Sequence, residues 1–140
     1  MRRYIFILVI TVIAFACQGS QDPTDEFPQT WKIAGWQIMG DAGDSGFQSV
    51  TDSSYTYLFK KDGSFLKTVG NESTIGSFEK EELIYEVGGK KTNYKLFFPE
   101  NKLVNSCSTN LEYMTINENG MLVGGSAPCD GPAIYLTLVE

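Results

Sequence analysis

The sequence predicts an all-β domain, an antiparallel meander closed into a barrel of about eight strands. Three observations predict it. From Trp31 onward apolar side chains recur with a period of two, and no segment carries a 3.6-residue stripe. Turn signals such as Asp62-Gly63, Gly88-Gly89 and Asn119-Gly120 recur every ~8–12 residues, the spacing of sandwiches and small barrels. The strands follow one another as hairpins, so sequence neighbours should be spatial neighbours, and closure would remove the edges that a sandwich leaves exposed.

The elements follow in order. Trp31 to Met39 forms a strand with Trp31 and Ile33 on one face and Trp36 and Ile38 on the other, so a bulge or bend is expected at Gly35. Tyr55, Tyr57 and Phe59 share the next strand face, and Asp62-Gly63 turns the chain into Phe65–Val69. Thr74–Phe78 and Leu83–Val87 are expected as two strands divided by a charged turn, Glu79-Lys80-Glu81-Glu82. Lys90-Lys91 reads as a solvated hairpin tip before the strand Asn93–Phe98, which Pro99 ends. A short pairing of Lys102-Leu103-Val104 is expected next. Then come Leu111–Ile116, a hairpin at Asn119-Gly120, Met121–Val123 and a closing strand, Ala133–Val139.

The N-terminus carries an address. Met1-Arg2-Arg3 precedes Tyr4–Ala16, thirteen residues interrupted only by Thr11, which reads as a signal peptide over 1–16. The stretch falls short of the ~20 residues that span a bilayer. Ala14-Phe15-Ala16 before Cys17 resembles the lipobox of bacterial lipoproteins, so Cys17 is expected to be acylated and to attach the protein to the membrane; an ordinary signal-peptidase site is the alternative. Residues 17–30 have the Gly, Ser, Pro and acidic composition of a tether, leaving 31–140 as the domain. Cleavage removes both arginines, and nine lysines against seventeen acids leave a charge of −8. A chain with that charge and no arginine lacks the means to bind nucleic acid. The absence of histidine removes the usual general base and the commonest zinc ligand, and no enzyme activity and no cofactor are expected.

With Cys17 set aside, Cys107 and Cys129 form an even pair in turn-rich sequence. A disulfide between them would close a loop of about 22 residues, worth about 3 kcal/mol on the chain-entropy model. Two buried free thiols are the alternative. Neither belongs to a C-x-x-C motif, which favours a structural role.

Trp31-Lys32-Ile33, the loop Gly40–Val50 ending in Phe47-Gln48-Ser49-Val50, Tyr55–Gly63, Gly76-Ser77-Phe78, Cys129-Asp130-Gly131 and Tyr135–Leu138 occur in a recurring order. In that order the chain resembles small lipocalin-like lipoproteins of Bacteroidota, over almost the whole domain. The resemblance implies a lipocalin-like, calycin-type barrel attached to the outer membrane or cell surface. It departs at Asp130-Gly131-Pro132-Ala133, where many members carry Glu-Gly-Cys, and it implies no particular ligand.

Two loops and one face carry the candidate chemistry. Asp41, Asp44, Ser45 and Asp52 begin like a calcium loop, but Gly43 and Asp52 stand where an oxygen ligand and a long glutamate are needed, so a polar loop at the barrel mouth is the expectation. The run Glu79–Glu82 could supply paired carboxylates, although a solvated surface is expected there. Trp31, Tyr55, Tyr57, Phe59, Phe78 and Tyr85 are the candidate ligand-binding residues, as large side chains that either fill an eight-stranded barrel or line a cavity in it. The functional expectation is an envelope protein holding a small apolar or aromatic ligand; the alternative is a solid barrel that docks or inhibits another envelope protein.

Overall fold

The computed structural model describes residues 26–38, 45–51, 54–85 and 89–139. Nine antiparallel strands occur among them: β1 Gln29–Ile38, β2 Gln48–Ser49, β3 Thr56–Phe59, β4 Ser64–Val69, β5 Glu72–Tyr85, β6 Gly89–Phe97, β7 Leu111–Ile116, β8 Leu122–Gly125 and β9 Pro132–Val139. From β3 to β9 each strand pairs with the next, and β1 pairs with both β3 and β9, which closes an eight-stranded barrel. The short β2 adds to the far half of β1, at Gly35 and Trp36. The predicted meander is therefore the observed fold.

The bend at Gly35 is a bulge. Ile33 pairs with Leu136 but Gly35 with Tyr135, so one residue of β1 is unmatched. That extra residue returns Trp36 to the face of Trp31 and Ile33, and all three contact the core. Gly35 itself faces outward beneath Phe47, where a Cβ would sit 2.4 Å from both the Phe47 ring and the Gln48 carbonyl oxygen. Phe47 meets Tyr135 edge-on at 5.4 Å, and Tyr135 donates to Gln37.

Four expectations need correction. Glu79–Glu82 is not a turn: β5 runs unbroken from Glu72 to Tyr85 and pairs with β6 at nine positions. Four consecutive charges hide an alternation in which Glu79 and Glu81 face outward while Lys80 and Glu82 share the face of Phe78. Lys90-Lys91 is not a tip; Lys90 lies opposite Ile84 and Lys91 opposite Leu83 within the ladder. Lys102-Leu103-Val104 forms no strand, and Leu103 has a positive φ of 62°. The tether also ends sooner than its composition suggests, because Phe27 packs on Phe78 and Gln29 is buried in β1.

Turn chemistry sets the register elsewhere. Gly63 adopts φ of 80° while the Asp62 carboxylate accepts from the Ser64 amide and hydroxyl. Gly120 adopts φ of 73°, and the Asn117 side chain accepts from the amides of Asn119 and Met121.

The pairing divides the barrel into two ends. At one end β1 begins, β9 finishes, and the β3–β4, β5–β6 and β7–β8 hairpins turn. The other end carries the 98–110 loop and the 3₁₀ turn Ala127–Cys129. A disulfide joins Cys107 of that loop to Cys129 of that turn.

Candidate functional site

Inward-facing positions of β6, β7, β9 and β1 build a cup at the hairpin end. It is open to solvent, holds about 850 Å³, and is lined by Thr92, Ile116 and Leu138 above the fully buried Trp31. Lys90, Tyr85 and the β7–β8 turn residues Asn117 and Glu118 form its rim. The volume lies within the range of sites that take small molecules, and the wall mixes apolar side chains with a few polar groups. Glu82 accepts from Lys80 at 3.1 Å and Lys90 at 3.0 Å on the same side of the ribbon. Those two bonds, from Lys90 first and Lys80 second, hold the Glu82 carboxyl below its ordinary range.

The cup exists because the strands differ in length. β4 accompanies β5 only from Glu72 to Ser77, and β7 accompanies β6 only from Asn93 onward. Beyond those points β5 and β6 continue as a two-stranded ribbon standing above the rim. The inner row Thr92–Tyr94–Leu96 therefore passes from a wall of the cup into the core.

Beside and beyond Trp31 the interior is solid. Phe59 lies 4.9 Å from Phe78 and 5.1 Å from Tyr94, and Phe65 lies 4.9 Å from Phe98. Gly76 makes room for the Phe65 ring, since a Cβ there would lie 2.5 Å from it. Gln29, buried, accepts from the Trp31 indole N–H and the Tyr94 hydroxyl, both at 3.2 Å.

Toward the disulfide end, the solid half contains charge. Lys67 and Glu112 are 0% and 1% exposed and meet at 2.7 Å. The other oxygen of Glu112 accepts from the Tyr57 hydroxyl at 2.7 Å, and its ion-paired oxygen also accepts from the Asn105 amide. The Lys67 ammonium sits 4.9–5.5 Å from the ring centres of Tyr57, Tyr55 and Phe98, within cation–π range of each. Burial first, and then the neighbouring Tyr55 and Glu112, push the Tyr57 hydroxyl well above its ordinary pKa. The chemistry of this cluster is structural: both charges are spent on each other, on Tyr57 and on a loop amide.

The sequence candidates thus separate. Trp31 and Tyr85 border the cup, although Tyr85 is half exposed at the ribbon and not inside the barrel. Tyr57, Phe59 and Phe78 belong to the solid part of the barrel, and Tyr55 lies half-buried against Tyr57. Of the polar loop, Asp41, Asp44 and Asp52 lie outside the described residues. Ser45 bonds through its hydroxyl to the Ile38 amide and carbonyl, where it closes the loop after β1. Cys17 and residues 1–16 also lie outside the described residues. Glu79 and Glu81 are exposed carboxylates on the outer wall, beside Lys91 and Lys95. The residues that sequence reasoning missed are Lys67, Glu112, Thr92, Ile116 and Leu138. Each shares a strand face with a core residue, and that was the available signal. Searches against known protein families, curated proteins and solved structures find no match for this chain.

Proposed function

We propose that this protein is an exported, lipid-anchored, lipocalin-like protein that holds a small apolar or aromatic molecule in the open end of its barrel. The observation that carries the reading is the cup of about 850 Å³, walled by Ile116, Leu138 and Thr92 and floored by Trp31. Apolar walls supply affinity by burying ligand surface, while Thr92, Asn117 and the Lys90 ammonium offer the few polar contacts that orient it. The solid half supports the reading in another way, because a rigid floor lets the rim vary without loss of the fold. Attachment through Cys17 rests on the N-terminal sequence.

Native mass spectrometry of protein extracted from its own envelope tests the reading. A small molecule should co-purify, and a Thr92→Trp variant, which fills the cup, should lose it. Extraction of a ligand-free protein that also fails to bind an apolar naphthyl fluorophore would sink the proposal.

A further inference from the structure

We propose that the hairpin end of the barrel is apposed to a lipid bilayer and that the apolar tip of the described β5–β6 ribbon, Leu83, Ile84 and Tyr85, dips into the membrane interface. The ribbon stands beyond its neighbours: past Ser77, β5 has no β4 partner, and before Asn93, β6 has no β7 partner. A two-stranded ribbon in water is marginal and normally carries polar side chains. This one carries Leu83, Ile84 and Tyr85 in succession, at 37%, 84% and 50% exposure. Along β5 the ion-paired Lys80 and Glu82 give way to these three side chains, while across the ladder Lys91 and Lys90 stand opposite Leu83 and Ile84, with the Lys90 ammonium turned back onto Glu82. Apolar side chains flanked by lysines are the mixture that suits an interface between water and lipid.

The bilayer is the occupant because of where the chain comes from. Phe27 packs on Phe78 at the base of the ribbon, so the described chain begins, with Glu26, at this end of the barrel. Nine residues upstream lies Cys17, after the apolar run Tyr4–Ala16. Even fully extended, that length holds this end within about 30 Å of whatever surface the N-terminus enters. Tyr85 has the amphipathic ring favoured at membrane interfaces, and Lys91 can lay its stem along the apolar tip with its ammonium in water. Such a ribbon enters by the ~5–10 Å typical of interfacial elements, and does not span. The inference rests on attachment through the N-terminus and is independent of any ligand in the cup.

The test uses the full chain reconstituted into phosphatidylethanolamine–phosphatidylglycerol vesicles containing nitroxide-labelled lipids. Ile84→Trp places a fluorophore at the ribbon tip. Ile75→Trp places one on the barrel wall, at another exposed position. The wild type supplies the background of Trp31 and Trp36. The Ile84→Trp signal should be shifted to shorter wavelength and lose most of its intensity to shallow nitroxides, while the Ile75→Trp signal stays red and unquenched. A red, unquenched tip on vesicle-bound protein overturns the docking and leaves the anchor intact. A blue but unquenched tip means that a second copy, a protein partner or the chain's own apolar segment covers it, and overturns the docking equally. Protein that stays off the vesicles overturns both the docking and the anchor.

Discussion

The two halves of the barrel treat the same chemistry in opposite ways. In the solid half Lys67 and Glu112 meet at 2.7 Å with 0% and 1% exposure; above the rim Lys90 and Glu82 meet at 3.0 Å with both at 37%. Both pairs face inward on their strands, so alternation alone does not separate them. The difference is whether neighbouring strands surround the position. Where all strands are present, a charge must be paired, hydrogen-bonded and caged in aromatics to be tolerated. Where β5 and β6 run on alone, water does part of that work, and the space the missing strands would have filled becomes a cup. Solidity where neighbouring strands pair, and openness where β5 and β6 outrun β4 and β7, follow from strand length.

The largest effects should come from breaking the buried cluster. Glu112→Ala leaves the Lys67 ammonium and the Tyr57 hydroxyl without their acceptor, and should cost about 3–5 kcal/mol of stability. The double variant Lys67→Met with Glu112→Leu removes both charges and should recover much of that loss. Chemical denaturation of Lys67→Met, of Glu112→Leu and of the double variant measures the coupling. Strictly additive losses would show that the pair does not act as a unit.

Reduction of Cys107–Cys129, or its replacement by two serines, should come next. Release of a loop of 22 residues costs about 3 kcal/mol on the chain-entropy model. The bond lies beside the cluster, since Asn105, two residues before Cys107, donates to Glu112. A shift in thermal midpoint on reduction that is as large in Glu112→Ala as in the wild type would mean that loop and cluster are independent.

Alkali should weaken the solid half through Tyr57. Its folded pKa lies well above the ordinary 10.0, so above about pH 10 the unfolded chain releases this proton while the folded chain retains it. The unfolded state then binds fewer protons, and stability falls as pH rises. Below pH 10 the contribution is fully present. Tyr57→Phe should flatten the decline between pH 10 and 11; an unchanged slope would place its cause elsewhere.

These contrasts show what the sequence could and could not convey. Lys67 shares a face with Phe65, and Glu112 with Met114, so period two already directs both inward. That they meet, across 45 residues, depends on closure and register, which no local pattern encodes. The bulge at Gly35 was legible because a face switch leaves an apolar signature. The continuity of β5 through Glu79–Glu82 was not, because four charges erase the alternation and ladder bonds to β6 maintain the strand regardless. The cup was the least legible feature. Thr92, Ile116 and Leu138 look like ordinary core positions, and only the absence of partners above them turns core into wall.

The smallest effect is expected at the rim, where it is also the most informative. Lys90→Met removes one partner of Glu82, but Lys80 still reaches that carboxylate and water surrounds it, so thermal unfolding should be nearly unchanged. Ligand binding should change instead, because the lost ammonium stands at the mouth of the cup. Apolar ligands should bind as well or better, and anionic amphiphiles more weakly, in titrations with a matched neutral and acidic pair. Equal affinity for both in wild type and variant would mean that the rim charge serves only the ribbon. A stability loss as large as that of Glu112→Ala would erase the contrast between the two ends, because it would make the ribbon part of the core.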